Sequence, residues 1–88
     1  MYEATFTNAA RKSIENLPET AKNRIKNRID ALISDENVRG AIKLKGQLDG
    51  NDVFRIRIGD YRVLYTFPAS SKIIILDVGH RRDVYRRR

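Results

Sequence analysis

The stretch Val53-Phe54-Arg55-Ile56-Arg57-Ile58-Gly59-Asp60-Tyr61-Arg62-Val63-Leu64-Tyr65 decides the fold. Two runs of alternating apolar and polar residues flank Gly59-Asp60, the pattern of a tight two-residue hairpin in which glycine supplies a positive φ. With those two residues as the turn, Ile58 pairs with Tyr61, Arg57 with Arg62, Ile56 with Val63, Arg55 with Leu64 and Phe54 with Tyr65. Paired residues share a face of the sheet. Phe54, Ile56, Ile58, Tyr61, Val63 and Tyr65 therefore line one face, and Arg55, Arg57 and Arg62 emerge together on the other. Like charges directly opposite each other cost a few tenths of a kcal/mol, so the arrangement points to an anion site rather than to stability. A register slip of one residue would overturn it.

Outward from the hairpin the chain reads as one small domain, residues 1–88. Toward the N-terminus, Tyr2 to Phe6 alternates weakly and reads as a strand. Thr7 and Asn8 offer caps before Ala10, Ile14 and Leu17, which share one helical face. Pro18 ends that helix and opens the next, where Ile25, Ile29, Leu32 and Ile33 repeat the apolar face over roughly residues 19–34. Lys22, Arg24, Lys26 and Arg28 cover the other sides and read as a solvated surface. Ser34 to Asn37 reads as a loop, and Gly40, Gly46 and Gly50 punctuate the connection from there to the hairpin. After the hairpin, Pro68 to Lys72 turns the chain into Ile73 to Val78, almost continuously apolar and so expected as a central strand buried on both faces. The fold class is α+β in the order β-α-α-β-β-β, a mainly antiparallel sheet with a two-helix hairpin packed on one face.

Of 88 residues, 18 are Lys or Arg and 11 are Asp or Glu, a formal net charge of +7. Residues 1–42 hold seven basic and six acidic side chains, whereas residues 43–88 hold eleven basic, eight of them Arg, and five acidic. A one-sided excess of arginine, whose planar fork matches phosphate, directs attention to nucleic acid. Without cysteine there is no disulfide framework, thiolate nucleophile or Cys-based zinc site, and His80 alone makes no His-rich metal site. The longest apolar run, Ile73 to Leu76, is too short to span a bilayer, so no membrane partner is expected. The start MYEATFTNAARKS lacks a signal-peptide pattern, and the expected compartment is the cytoplasm. Nucleophile-elbow, Walker and dinucleotide motifs are absent, and no acidic cluster accompanies the basic face. No metal or cofactor is expected. What remains is a site of guanidinium groups, a phenol and an imidazole. Such groups suit cleavage of RNA by its own 2′-hydroxyl, in which arginines neutralise the charge at phosphorus and Tyr or His moves protons.

Three stretches carry a resemblance. Lys43-Leu44-Lys45-Gly46, the hairpin Val53 to Tyr65, and the segment Leu76 to Tyr85 with its VGHRRDVY motif together resemble the RelE family of bacterial toxin–antitoxin systems, within the RelE/ParE superfamily. FTNAARKSIENLP is similar to the family's first strand and helix, so the resemblance spans essentially the whole chain. It implies a type II toxin that enters the A site of the 70S ribosome and cuts mRNA there, leaving a 2′,3′-cyclic phosphate. It also implies neutralisation by a cognate RelB-like antitoxin, with operator DNA bound only by the toxin–antitoxin complex to repress the operon. By position, Arg55 and Arg57 match two basic residues of the second strand, Arg62 the arginine of a GYR-type motif, Arg81 the arginine after the VG pair, and Tyr85 a C-terminal tyrosine. The resemblance assigns the transition-state phosphate to Arg62, the neighbourhood of the leaving oxygen to Arg81, and stacking or proton transfer to Tyr85. Arg57 completes the expected catalytic set. Arg55, Lys43, Lys45, His80, Arg82 and Arg86 are the expected RNA-binding residues.

One departure alters the chemistry. The second-strand positions are often Lys in the best-known members, and here both are Arg, which does not lose its proton near neutral pH. A base role assigned to Lys does not transfer, so Tyr85 is the expected general base and His80 its substitute. Two other readings compete with the nuclease. One is a ParE-like inhibitor of DNA gyrase without nuclease activity, a branch that generally lacks the full Arg/Tyr set. The other is a non-catalytic basic module that binds nucleic acid, for which Tyr85→Phe would be silent.

Overall fold

A computed structural model describes residues 2–34 and 41–80. Among them the order is β1 (Glu3–Phe6), α1 (Asn8–Glu15), α2 (Glu19–Ile33), β2 (Ile42–Leu48), β3 (Asn51–Ile58), β4 (Tyr61–Ala69) and β5 (Lys72–His80). The strands form one sheet in the order β1-β5-β4-β3-β2, with β1 parallel to β5 and every other pair antiparallel. The expected α+β class holds, with one strand more than the sequence reading counted. β2 occupies the stretch read as glycine-punctuated connection. Neither described helix is long and apolar enough to cross a membrane.

Local chemistry explains the helices. Thr7 caps α1, its Oγ1 accepting from the Ala10 amide at 3.1 Å, which satisfies one of the amides a helix start leaves unbonded. Pro18, with φ −56°, precedes α2, where its missing N–H and fixed φ suit a helix entry. Ala10 from α1 and Ile25, Ile29 and Leu32 from α2 are buried against Ile56, Ile58, Val63, Tyr65, Ile73, Ile75 and Val78 of the sheet. These residues form the core, and Phe54, Tyr61 and Phe67 pack at its margin. Beyond the turn of α2, the Tyr2 amide donates to the Ile33 carbonyl at 2.7 Å and ties the start of the chain to the helix end.

The observed β3–β4 register is the one read from the sequence: Phe54–Tyr65, Arg55–Leu64, Ile56–Val63, Arg57–Arg62 and Ile58–Tyr61. Gly59 has φ +59° and the turn is two residues long. The expectation for Ile73 to Val78 is corrected in part. β5 is an interior strand, but the central one is β4, in which Arg62 to Thr66 are all buried. On β5, Ile74, on the face away from the helices, is half-buried, as are Leu76 and Asp77, which lie past the last pair with β1 at Ile75.

Candidate nucleic-acid interface

Strand alternation sends Arg55, Arg57 and Arg62 to the face opposite the helices, since Ile56, Ile58 and Val63 are in the core between them. Arg57 lies directly opposite Arg62, an arrangement that puts Cβ atoms about 5 Å apart. Arg55 sits one diagonal step away, opposite Leu64 on one side and Ile42 on the other. The cross-strand neighbours of these arginines are thus Arg, Leu, Ile and Gly. No carboxylate stands directly across from any of them.

The three differ in depth. Arg62 is 9% exposed, Arg55 is half-buried and Arg57 is exposed. Val53, Leu64 and Thr66 share their face and are buried, so the arginines rise from a largely apolar floor. The Thr66 hydroxyl donates to the Asp52 carbonyl at 2.6 Å, which fixes the start of β3 against β4. The Nε atoms of Arg55 and Arg62 lie beneath the surface. A cation held over apolar neighbours interacts with an anion more strongly than one surrounded by water. Depth therefore grades the set, with Arg62 fixed and Arg57 free to adjust.

The β5 flank differs from the β3 flank. Leu64 pairs with Asp77 and Tyr65 with Ile75, so Leu76 is one extra residue in β5. This bulge is pinned from the first helix: the Thr7 hydroxyl donates to the Leu76 carbonyl at 2.7 Å, and the Thr7 amide donates to the Ile75 carbonyl at 3.1 Å. Beyond the bulge Val78 pairs with Val63, Gly79 with Arg62 and His80 with Tyr61. Gly79, which is buried, therefore lies beside Arg62 with no side chain to crowd it.

The expected residues divide accordingly. Arg55, Arg57 and Arg62 are brought together on one face. His80 shares the face of Ile58 and Tyr61, its ring edge-on to Tyr61 with centroids 6.0 Å apart, and register turns it away from the arginines. Lys43 is opposite Phe54 on the edge strand, on the helix side of the sheet. Lys45 is exposed in the irregular stretch between Lys43 and Gln47. Arg81, Arg82, Tyr85 and Arg86 lie outside the described residues. Burial pushes the Tyr65 phenol above its ordinary value, but Tyr65 belongs to the core face and not to the arginine face. The sequence reading missed the Thr7–Leu76 contact that sets the far end of β5. A threonine cap was visible, but its second hydrogen bond joins residues 69 apart in sequence.

Residues 4–85 match the model of a family described as the ParE toxin of the type II toxin–antitoxin system parDE. Toxin RelG of Mycobacterium tuberculosis is 33% identical over 87 residues, covering 98% of each chain. The fold matches the crystal structure of the toxin–antitoxin complex RelBE2 from Mycobacterium tuberculosis with TM-score 0.72 and 31% identity, over 91% of this chain and 98% of that one. It likewise matches the RelB–RelE antitoxin–toxin complex from Methanococcus jannaschii with TM-score 0.73 and 27% identity, over 93% and 95% of the two chains.

Proposed function

The chain belongs to the RelE/ParE superfamily of type II toxins, and from that premise we propose that it is a metal-independent, ribosome-dependent endonuclease that cuts mRNA in the A site. The observation that carries this reading is the Arg57–Arg62 pair, directly opposite each other on a sheet face where Val53 and Leu64 are buried beside them. Two guanidinium groups placed side by side, at an energetic cost to the isolated protein, suit a phosphate whose negative charge increases during reaction. In that reaction the 2′-hydroxyl attacks the adjacent phosphorus as it loses its proton. The P–O5′ bond breaks, and the leaving oxygen takes up a proton to give a 2′,3′-cyclic phosphate and a free 5′-hydroxyl.

Arg62 holds the phosphate from below and Arg57 from the solvent side, with Arg55 on the neighbouring backbone. Neither Arg55 nor Arg57 takes the 2′-proton, because arginine retains its own near neutral pH. Tyr85 remains the proposed base and Arg81 the group near the leaving oxygen, both through the resemblance of their motif. His80 is not retained as the substitute base, since register directs it to the helix side. Lys43, on that same side, is not retained among the groups that touch the scissile region. Lys45, Arg82 and Arg86 remain proposed contacts to the RNA backbone. The ribosome supplies what so small a chain lacks, a held and correctly bent substrate.

Two of the similar structures are antitoxin–toxin complexes, which supports a RelB-like antitoxin as partner here; operator DNA, bound only by the complex, is proposed from the family resemblance alone. A second reading, inhibition of DNA gyrase, is favoured by one observation, the match to the ParE toxin model. Mapping mRNA 5′ ends in a reconstituted translation system separates the two. New 5′-hydroxyl ends that require ribosomes and are lost in Arg62→Ala are the expected result. Intact message beside active ribosomes overturns the nuclease, and inhibition of supercoiling by the purified protein then supports the second reading.

A further inference from the structure

A second basic site lies around the tip of the β3–β4 hairpin. An open cleft of about 380 Å³ between α2 and that tip is lined by Arg24, Asn27, Arg28, Arg57, Ile58 and Gly59. It holds three arginines and an amide, and no carboxylate. Arg24 and Arg28 are one helical turn apart, so they share a face of α2, where like charges repel by a few tenths of a kcal/mol. The guanidinium of Arg24 lies over Gly59, close enough that a Cβ there would stand 3.4 Å from both of its terminal nitrogens. Gly59 serves the turn through its φ of +59°, and the Arg24 guanidinium lies against it. Among the described residues no carboxylate pairs with Arg24 or Arg57. Arg57 belongs to both sites: its strand position puts it beside Arg62, and its side chain also lines this cleft.

We propose that this cleft holds an RNA phosphodiester other than the scissile one, so that a strand crossing the arginine face continues past Arg57 onto α2. The inference rests on the nuclease reading for its choice of RNA. Guanidinium forks and an amide donor in a cleft with no carboxylate in its lining are the chemistry of phosphate recognition. The lysines of the same helix provide the contrast. Lys22 and Lys26 line a groove on its other side, together with the acidic residues Glu15 and Asp30. Arg24 and Arg28 therefore read as more than a solvated surface.

The test measures binding of the full-length protein to two probes, a 2′-O-methyl oligoribonucleotide that cannot be cut and a ribosome with a vacant A site. Arg24→Gln, Arg24→Gln/Arg28→Gln and Lys26→Gln are compared with wild type, with thermal unfolding as a check on folding. The double variant is expected to bind about tenfold more weakly, and each lost contact to lower the salt slope by about 0.7. Lys26→Gln is expected to match wild type. Loss on both probes assigns the phosphate to the message, and loss on the ribosome alone assigns it to ribosomal RNA. Equal binding by all variants overturns the cleft while leaving the nuclease standing. Equal losses in Lys26→Gln also overturn it. Failure of wild type to bind either probe removes the nuclease reading and the cleft with it.

Discussion

Along its β3 side, β4 pairs residue for residue from Val53–Thr66 to Ile58–Tyr61, whereas along its β5 side Leu76 interrupts the ladder. The uninterrupted side places like with like: core residues opposite core residues, and Arg57 opposite Arg62. The interrupted side reverses which face each residue takes. With strict alternation from Ile73 and Ile75, which are core residues, Gly79 would face the helices and His80 would join the arginines. The bulge exchanges them. A glycine then lies beside Arg62, and the imidazole packs against Tyr61. One inserted residue therefore determines whether the second flank of the arginine site carries a ring or a gap.

The largest effect should come from the residue common to both flanks. Arg62→Ala is expected to lower single-turnover mRNA cleavage on ribosomes by about 10²–10³-fold, the usual consequence of losing one preorganised donor to a developing negative charge. Ribosome binding should fall much less, because Arg55 and Arg57 remain on the face. A loss of binding equal to the loss of cleavage would make Arg62 a docking residue. Next comes Gly79→Val, which puts a branched side chain beside Arg62 on the interrupted flank. Overpacking at a buried position is expected to cost about 1–3 kcal/mol in denaturant unfolding. Cleavage should drop in the folded fraction, while Ser70→Gln, at an exposed turn position, leaves both unchanged.

How far this contrast was legible depends on the same residues. The β3–β4 register was readable because Gly59-Asp60 and two clean alternating runs permit one pairing. The β2–β3 turn carried an equally plain signal. Asp49 and Gly50 both take positive φ, 52° and 82°, between Leu48 and Asn51, which pair. Ile42-Lys43-Leu44 even alternates, but the run breaks at Gly46, where the register with β3 shifts, and β2 is exposed along nearly all its length. An edge strand with no buried face writes a weak pattern, so its glycines read as loop. The bulge at Leu76 was illegible for another reason. Nothing in Ile73 to Val78 marks an extra residue, and the hydrogen bonds that hold it come from Thr7. His80, within the VGHRRDVY motif, and Lys43, within Lys43-Leu44-Lys45-Gly46, are expected at the RNA, but register turns both to the helix side. Arg24 and Arg28 passed as surface because their nearness to Gly59 exists only after α2 packs on the sheet.

A smaller effect tests what holds the bulge. Thr7→Val keeps the shape of the side chain and removes both its hydroxyl bonds, to the Ala10 amide and to the Leu76 carbonyl. Loss of a threonine cap costs about 0.5–2 kcal/mol, and the value here should lie toward the upper end because a second contact goes with it. The informative readout is the His80 ring signal, which should move as its contact with Tyr61 loosens. A normal His80 signal with reduced stability would show that the cap matters but the bulge holds itself.

The smallest effect belongs to the core face and to pH. Tyr65 is 3% exposed, and burial raises the pKa of its phenol above 10.0. A group whose folded pKa is raised stabilises the fold fully below its unfolded value, and that stability declines as pH rises through the folded pKa. Unfolding measured from pH 8 to pH 11 should accordingly show wild type losing stability above about 10, where the unfolded chain ionises this phenol more readily than the folded one. Tyr65→Phe should sit within about 1 kcal/mol of wild type at pH 8 and fall less steeply at high pH. Its ribosomal cleavage should be unchanged, since Tyr65 faces the helices and Leu64 and Thr66, its neighbours in β4, face the other way. A cleavage defect in Tyr65→Phe would mean that the two faces of β4 are not independent, and that the arginines sense how the core beneath them is packed.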